Sequence, residues 1–455
     1  MSHGAVDGSM WAEDGVTPAG GAAPLYLFPA LDGAGWWRAL KALGRSLPSR
    51  RRSPRAPNRG AAADPASAGA ASVADPLADT YAGLLGELAR LGYSDPRRGA
   101  ALVLLGGRGP LGAYSVDRVP AGLLYALERD LTTIHHVTGR PYGRLVAEAL
   151  GEEQPPLSEL AGDLPSGVLR EAVEDVEAAL AAGTPKERVE LFLSAVASYG
   201  SGPTALHRAL VFGGEGLVGI DEPDLPRWSE LFGVEEQLAR LEANVEALIA
   251  RSGAQHTLLY GPRGSGKSTA VRGLLRRFEG RGLRLVEVAP AQLHAIPDLV
   301  EELRHQPTSF VLYVDDLAFD DADPAYRPLK SVLDGSLLRR PANVVVVATS
   351  NRRHLVKERL SDRPAPEDDV HGWDTHNEKL ALADRFGLTI TFPTAGQRDY
   401  LQLVRALAAL RGVSDFPEEH ALRFAQWGNG FSGRTARQFV EQLDWAPAPG
   451  DHEGS

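Results

Sequence analysis

The sequence predicts an α/β chain: a parallel five-stranded sheet with helices on both faces, a small C-terminal α-helical lid, and an N-terminal all-α module. Three observations predict it. Five short apolar runs in the second half of the chain are separated by helical spacing. The first run leads into a complete Gly-x-x-x-x-Gly-Lys-Ser pattern at 261–268, with a helix-like run behind it. Residues 76–220 repeat leucine and valine at helical intervals.

Composition bounds the rest. A chain of 455 residues with 43% hydrophobic and 24% charged residues has the balance of a soluble globular protein of two or three domains. The formal charge of −11 argues against a protein that coats nucleic acid nonspecifically. With no cysteine, disulfides, thiol nucleophiles and Cys-based metal sites are excluded. No signal-peptide pattern or long apolar span is seen, so the expected setting is cytoplasmic with no membrane partner.

In chain order, residues 1–75 are rich in Gly, Ala, Pro and Ser and read as a disordered low-complexity tail. Arg45, Arg50, Arg51, Arg52, Arg55 and Arg59 form a basic run there, open to a nucleic-acid or acidic-lipid reading, although such tails are more often simply solvated. The apolar patches Leu25–Phe28 and Trp36-Trp37 receive no assignment. Residues 76–220 read as a helical domain, carried by repeats such as Leu84, Leu88, Leu91 and Leu123, Leu127, Leu131. His135 and His136 lie on one of these helices; adjacent residues point about 100° apart, so they read as structural and not as a metal pair.

Gly213 to Pro226 reads as a linker, followed by a nucleotide-binding core over 226–394, a lid over 395–446 and a tail over 447–455. Strand candidates are 257–260, 283–288, 310–314, 343–348 and 388–392; apolar on both faces, they suit a parallel sheet buried between helices. In the loop after the first strand, Gly261, Gly264 and Gly266 let the backbone turn tightly. Pro262 shapes the same loop, amides from Arg263 and Ser265 onward cradle phosphate, Lys267 neutralises it, Ser268 ligates Mg²⁺, and Thr269 continues into the helix, whose positive end faces the same phosphates. The loop therefore implies ATP or GTP. The absence of a guanine-reading Asn-Lys-x-Asp pattern favours ATP.

The run 310–314 delivers Asp315-Asp316 to the carboxyl edge of the sheet. Asp315 is the expected magnesium partner, and Asp316 is left to orient or deprotonate an attacking water. The run 344–348 ends in Thr349-Ser350-Asn351, which brings Asn351 near the same water. Residues 362–378 mix prolines, carboxylates and two histidines at no defined metal spacing and read as an exposed loop. Arg385 precedes the last strand. In the final helix Ser432 reads as an N-cap, and an arginine in the first turn, Arg434, opposes the helix dipole and suggests a compensating anion.

The order of phosphate loop, Asp-Asp strand, Asn-ended strand, Asp384-Arg385-Phe386-Gly387 and Ser432-Gly433-Arg434 resembles an AAA-plus ATPase over residues 226 to 445. Leu259-Tyr260-Gly261, Val314-Asp315-Asp316-Leu317 and Ala348 to Leu355 are similar to an uncharacterised prokaryotic family of ATP-binding proteins within that superfamily. The resemblance implies that Lys267 and Ser268 belong to Walker A, Asp315 and Asp316 to Walker B and Asn351 to sensor 1. It further implies that Arg385 is an arginine finger, Arg434 is sensor 2, and Leu231-Phe232-Gly233-Val234 packs on the adenine. The expected activity is Mg-ATP hydrolysis coupled to remodelling of an unknown client by a homo-oligomer acting through Arg385. The bland alternative for Arg385 is an ion pair with Asp384 or Glu378 within one chain. Walker B here has Asp316 where most of the superfamily has glutamate, which leaves a slowly hydrolysing switch or scaffold as the alternative function. A DNA-associated loader is a third, resting on the arginine run.

Overall fold

The computed structural model describes residues 25, 27–46, 79–85, 88, 96–107, 119–150, 164, 166–317, 328, 329, 332, 333, 341–351, 385–413, 416–427 and 430–443. The chain divides into two compact units, one of residues 1–104, 120–164 and 174–192, the other of 105–119, 165–173 and 193–455.

The first unit is helical. It includes α1 (Gly35–Ser46), most of α2 (Pro96–Gly106), α3 (Ala121–Thr138), α4 (Tyr142–Leu150) and the larger parts of α5 (Arg170–Ala181) and α6 (Pro185–Tyr199). Residues 27–46 correct the expectation of a disordered tail. On α1, Trp36, Trp37, Leu40 and Leu43 share one face at helical spacing and are buried. Asp32 gathers the Leu25 N–H (2.8 Å), the Trp37 indole N–H (3.1 Å) and the Lys41 ammonium (2.5 Å), and buried Asp130 of α3 accepts the Leu27 N–H at 2.7 Å. Averaged composition over 75 residues conceals an amphipathic segment of twelve. His135 Nδ1 lies 2.7 Å from the Leu180 carbonyl oxygen, so its role is structural, as expected.

The second unit is built on a sheet of seven strands, not five. In order they are β1 (Ala209–Gly213), β2 (Gly216–Gly219), β3 (Thr257–Tyr260), β4 (Leu283–Val288), β5 (Ser309–Val314), β6 (Val344–Ser350) and β7 (Leu388–Thr391), arranged β2-β1-β4-β5-β6-β3-β7. All neighbours are parallel except the β1–β2 hairpin, which pairs Val211 with Val218. The hairpin occupies the end of the expected helical domain and the start of the expected linker. The glycines at 213, 214, 216 and 219 read as breakers in sequence; here they bound a tight turn, with Gly216 at φ 92°.

Both sheet faces are covered, which is why the strands read as continuous apolar runs. Along β5, Phe310, Leu312 and Val314 pack on one side with α9 (Ile296–Leu303). Val311 and Tyr313 pack on the other with α7 (Glu235–Ile249) and α8 (Lys267–Arg277). The open edge of β7 is protected by α7, whose Arg240 and Gln237 side chains donate to the Thr389 and Thr391 carbonyls at 3.1 and 3.0 Å. The lid is the helical trio α10 (Gln397–Leu410), α11 (Glu418–Trp427) and α12 (Gly433–Leu443), with its own core around Tyr400, Val404, Ala421, Ala436 and Val440.

Leu312 is fully buried at the centre of this sheet, so Leu312→Ala is expected to destabilise the sheet unit by about 2–5 kcal/mol in urea unfolding followed by circular dichroism. Val218→Ala, at 54% exposure on β2, is expected to stay within about 0.5 kcal/mol. Equal midpoints for the two variants would refute the core assignment.

Candidate nucleotide site

The site is assembled at the carboxyl edge of the sheet by the strand order. β6 lies between β3 and β5, so its polar end stands between the loop that follows β3 and the carboxylates that follow β5. The loop leaves Tyr260, passes Gly264 at φ 74° and enters α8 through Gly266, a left-handed N-cap at φ 97°. Gly264 is required for a second reason. A Cβ there would lie 2.7 Å from Ser432 Oγ, and its carbonyl accepts the Gly433 N–H at 3.0 Å, so the start of α12 rests directly on the loop.

Lys267 is buried, and its ammonium donates to the carbonyls of Gly261 and Pro262, both at 2.8 Å, and to Asn351 Oδ1 at 2.7 Å. Burial pulls its pKa down to about 8, against the attraction of Asp315 and Asp316. Asn351 Nδ2 donates to Asp316 Oδ1 at 2.6 Å. Ser268 and Thr349 hydroxyls donate to Asp315 Oδ1 at 2.9 and 2.6 Å, and the Asp316 N–H donates to Thr349 Oγ1 at 2.9 Å. Burial alone would raise the Asp315 pKa; the hydrogen bonds from Thr349 and Ser268, with the nearby Tyr313 hydroxyl, outweigh it and hold the carboxyl below its ordinary range. Asp316 sits at φ 48°, a left-handed conformation that a short polar side chain tolerates better than a long one.

These groups line one cavity of about 760 Å³, a volume suited to a nucleotide-sized ligand. Every residue from Pro262 to Thr269 borders it, as do Asp315, Asp316, Asn351, Phe232, Val234 and Arg434. Gly261 contributes through its carbonyl. Phe232 is 38% exposed at this wall while Val234 is buried. Arg434 and Arg437 both reach the cavity, but Arg437 is paired with Glu230 at 3.1 Å, whereas Arg434 has no ion-pair partner among the described residues. Arg385 is the predicted residue that the fold places elsewhere. It precedes β7, whose Leu388 pairs with Thr257 at the start of β3, so it stands toward the amino edge of the strands and does not line the cavity. Its weighed in-chain partners, Asp384 and Glu378, and the 362–378 loop lie outside the described residues.

Sequence reasoning missed three contributors. Thr349 joins the two aspartates, Glu230 joins Arg437, and Trp228 lies on α8, donating its indole N–H to the Ala270 carbonyl at 2.9 Å. Only the last left a trace: Gly273 sits in mid-helix because a Cβ there would meet the Trp228 ring at 2.5 Å. Among the described residues no group of three or more His, Asp or Glu side chains is placed to hold a metal, and no helix is long and apolar enough to cross a membrane.

No curated protein matches the chain. Among solved structures, the Thermotoga maritima RuvB Holliday junction branch migration motor is 17% identical, with a TM-score of 0.33, over 47% of this chain and 62% of the motor. Two of its single-substitution variants are 17% and 16% identical, each with a TM-score of 0.34 over 48% of this chain and 64% of theirs. The chain thus spans less than two thirds of those proteins, and work on Holliday junctions is a property of theirs. The fold itself, with its parallel sheet, Gly-Lys-Ser loop, Asp-ended and Asn-ended strands and helical lid, is the AAA-plus fold that the motifs imply. A family match covers residues 205–446, from just before β1 to just beyond α12 and more than half of the sequence, and the chain belongs to that family, described as "Protein of unknown function (DUF815)".

Proposed function

We propose that the cavity binds Mg-ATP and hydrolyses its terminal anhydride, and that nucleotide state is converted into movement of the α10–α12 lid to act on a client in the cytoplasm. The observation that carries this is the convergence of Lys267, Ser268, Asp315, Asp316, Asn351 and Arg434, from the loop, two strand ends and the lid, on one cavity. Asp315, held ionised, and the Ser268 hydroxyl offer hard oxygens 2.9 Å apart, which suits Mg²⁺. They would hold the ion, which when bound neutralises charge on the phosphates.

Lys267 exchanges the Asn351 amide for phosphate oxygen, which frees Asn351 to position water. Asp316 accepts a proton from that water as its oxygen bonds to the γ-phosphorus and the anhydride bond breaks, releasing ADP and phosphate. Arg434 stabilises the phosphate from the lid side, and Phe232 and Val234 pack on the base. Arg385, away from the cavity of its own chain, acts on the γ-phosphate of a neighbouring copy, so the active form is a homo-oligomer. A second reading, a slowly hydrolysing switch, is favoured by one observation: Asp316 is short, left-handed and already engaged by Asn351. Residues 47–78, with most of the arginine run behind the nucleic-acid reading, lie outside the described residues.

Lys267→Ala is expected to abolish the calorimetric heat of Mg-ATP binding. Asp316→Asn is expected to keep binding and lose turnover by about 10²–10⁴-fold. Wild-type single-turnover cleavage no faster than that of Asp316→Asn would leave the switch and remove the hydrolase.

The lysine also sets a pH signature. Its folded pKa of about 8 lies below the ordinary 10.5, so across that window the unfolded chain holds a proton that the folded chain has released. Stability of the nucleotide-free protein is therefore expected to rise with pH between those values relative to Lys267→Met. Binding a phosphate restores the ammonium, so ATP binding at pH 9 should take up a proton and at pH 6.5 should not. Calorimetry in buffers of different ionisation enthalpy reads this directly, and equal proton counts at both pH values would refute it.

A further inference from the structure

The two carboxylates of the site are adjacent in sequence, yet they point to different tasks and need different supports. One side chain supplies both. Thr349, buried on β6 at 2% exposure, donates its hydroxyl proton to Asp315 Oδ1 at 2.6 Å and accepts the Asp316 N–H on the same oxygen at 2.9 Å. Its backbone carbonyl takes the next amide, that of Leu317, at 2.7 Å. Three consecutive residues after β5 are thus fixed by one residue of the neighbouring strand.

We propose that Thr349 is a positioning residue that sets the Asp315–Asp316 pair for metal and water; this rests on the Mg-ATP reading of the cavity. The reason lies in the backbone. Asp316 is held at φ 48°, a conformation that non-glycine residues adopt rarely and mainly where the surroundings favour it. An extended residue at 316 would send its side chain in another direction. The hydrogen bond that the Asp316 N–H donates to Thr349 Oγ1 enforces the left-handed turn, and the Asn351 amide then orients the carboxylate that the turn presents. The hydroxyl proton, given to Asp315, removes one of that carboxylate's rotational choices and leaves its remaining lone pairs for a cation. A hydroxyl is the group that does both, since it donates once and accepts at the same atom. The turn also suits an aspartate at 316, whose short polar side chain can hydrogen-bond locally in the left-handed region.

The test uses Thr349→Val, which keeps the β-branched shape and deletes the hydroxyl, and Thr349→Ser, which restores it. In the nucleotide-free protein, hydrogen exchange at the Asp316 amide should be at least about tenfold faster in Thr349→Val and near wild type in Thr349→Ser. Calorimetry with ATP in EDTA should give the same affinity for all three proteins, while the Mg²⁺ concentration needed for half-maximal turnover rises, and kcat falls, by about 10–100-fold in the valine variant alone. Valine and serine variants that behave alike, or unchanged Asp316 exchange in Thr349→Val, would overturn the role. If wild-type protein gives no heat with ATP, the nucleotide reading fails, and the exchange result still decides whether Thr349 holds the turn.

Discussion

A closed ring of hydrogen bonds is the constraint on which the rest of the site depends. From Lys267 it runs through Asn351 to Asp316, from the Asp316 amide to Thr349, from Thr349 to Asp315, and from Asp315 to Ser268, which adjoins Lys267 in the chain. Three segments far apart in sequence contribute, one from the start of α8 and two from the ends of β5 and β6. The ring closes because β6 is inserted between β3 and β5, so its terminal Thr349 and Asn351 bridge two groups that would otherwise face each other across the width of a strand. A buried ammonium is costly unless its protons are taken up, and here Lys267 gives them to neutral oxygens, while the two aspartates accept from Asn351, Ser268 and Thr349. The same ring must partly open for a ligand to enter, since the Lys267 ammonium has all three protons engaged.

Electrostatics and packing therefore pull in opposite directions at position 267. Burial drags the lysine pKa down, while two nearby aspartates pull it back only in part. A phosphate arriving in the cavity would supply the missing counter-charge at the point where the protein supplies only dipoles. The site is in this sense suited to an anion, and that is what nucleotide binding would draw on.

What could be read from the sequence was whatever is encoded by local order. The Gly-Lys-Ser loop, the Asp pair after an all-apolar run and Asn351 after another are each visible within a dozen residues, and the fold brings them to one cavity. Short-range periodicity also gave the lid helices and the structural reading of His135. The failures share another character. The β1–β2 hairpin is four and five residues of strand framed by glycines, and it becomes a sheet edge only by pairing with β4, far along the chain. Residues 27–46 looked like a tail because their anchor, Asp130, is a hundred residues away. Thr349 and Glu230 carry no local signature at all, because what matters in each is a partner on another element. Asp316 stood out in sequence as an aspartate where most of the resembled superfamily has glutamate; its left-handed backbone is contained in no spacing pattern.

The lid shows how two similar arginines become different. Arg434 and Arg437 are one turn apart on α12, and either has the reach suggested by its position near the first turn. Arg437 is neutralised across the cavity by Glu230, on the segment that precedes α7, which fastens the lid helix to the wall proposed to hold the base. Being partly exposed, that pair contributes little to stability, but it fixes orientation. The Gly433 amide on the Gly264 carbonyl fastens the same helix to the phosphate loop. Between these two attachments stands Arg434, its charge uncompensated among the described residues and opposed by the helix dipole behind it. A cation held at such a place by two flanking contacts is stabilised most by an anion, and the loop beneath it is the one proposed to hold phosphate. Movement of the loop on binding would then pass to α12 through Gly264 and Gly433, and through α12 to the lid core.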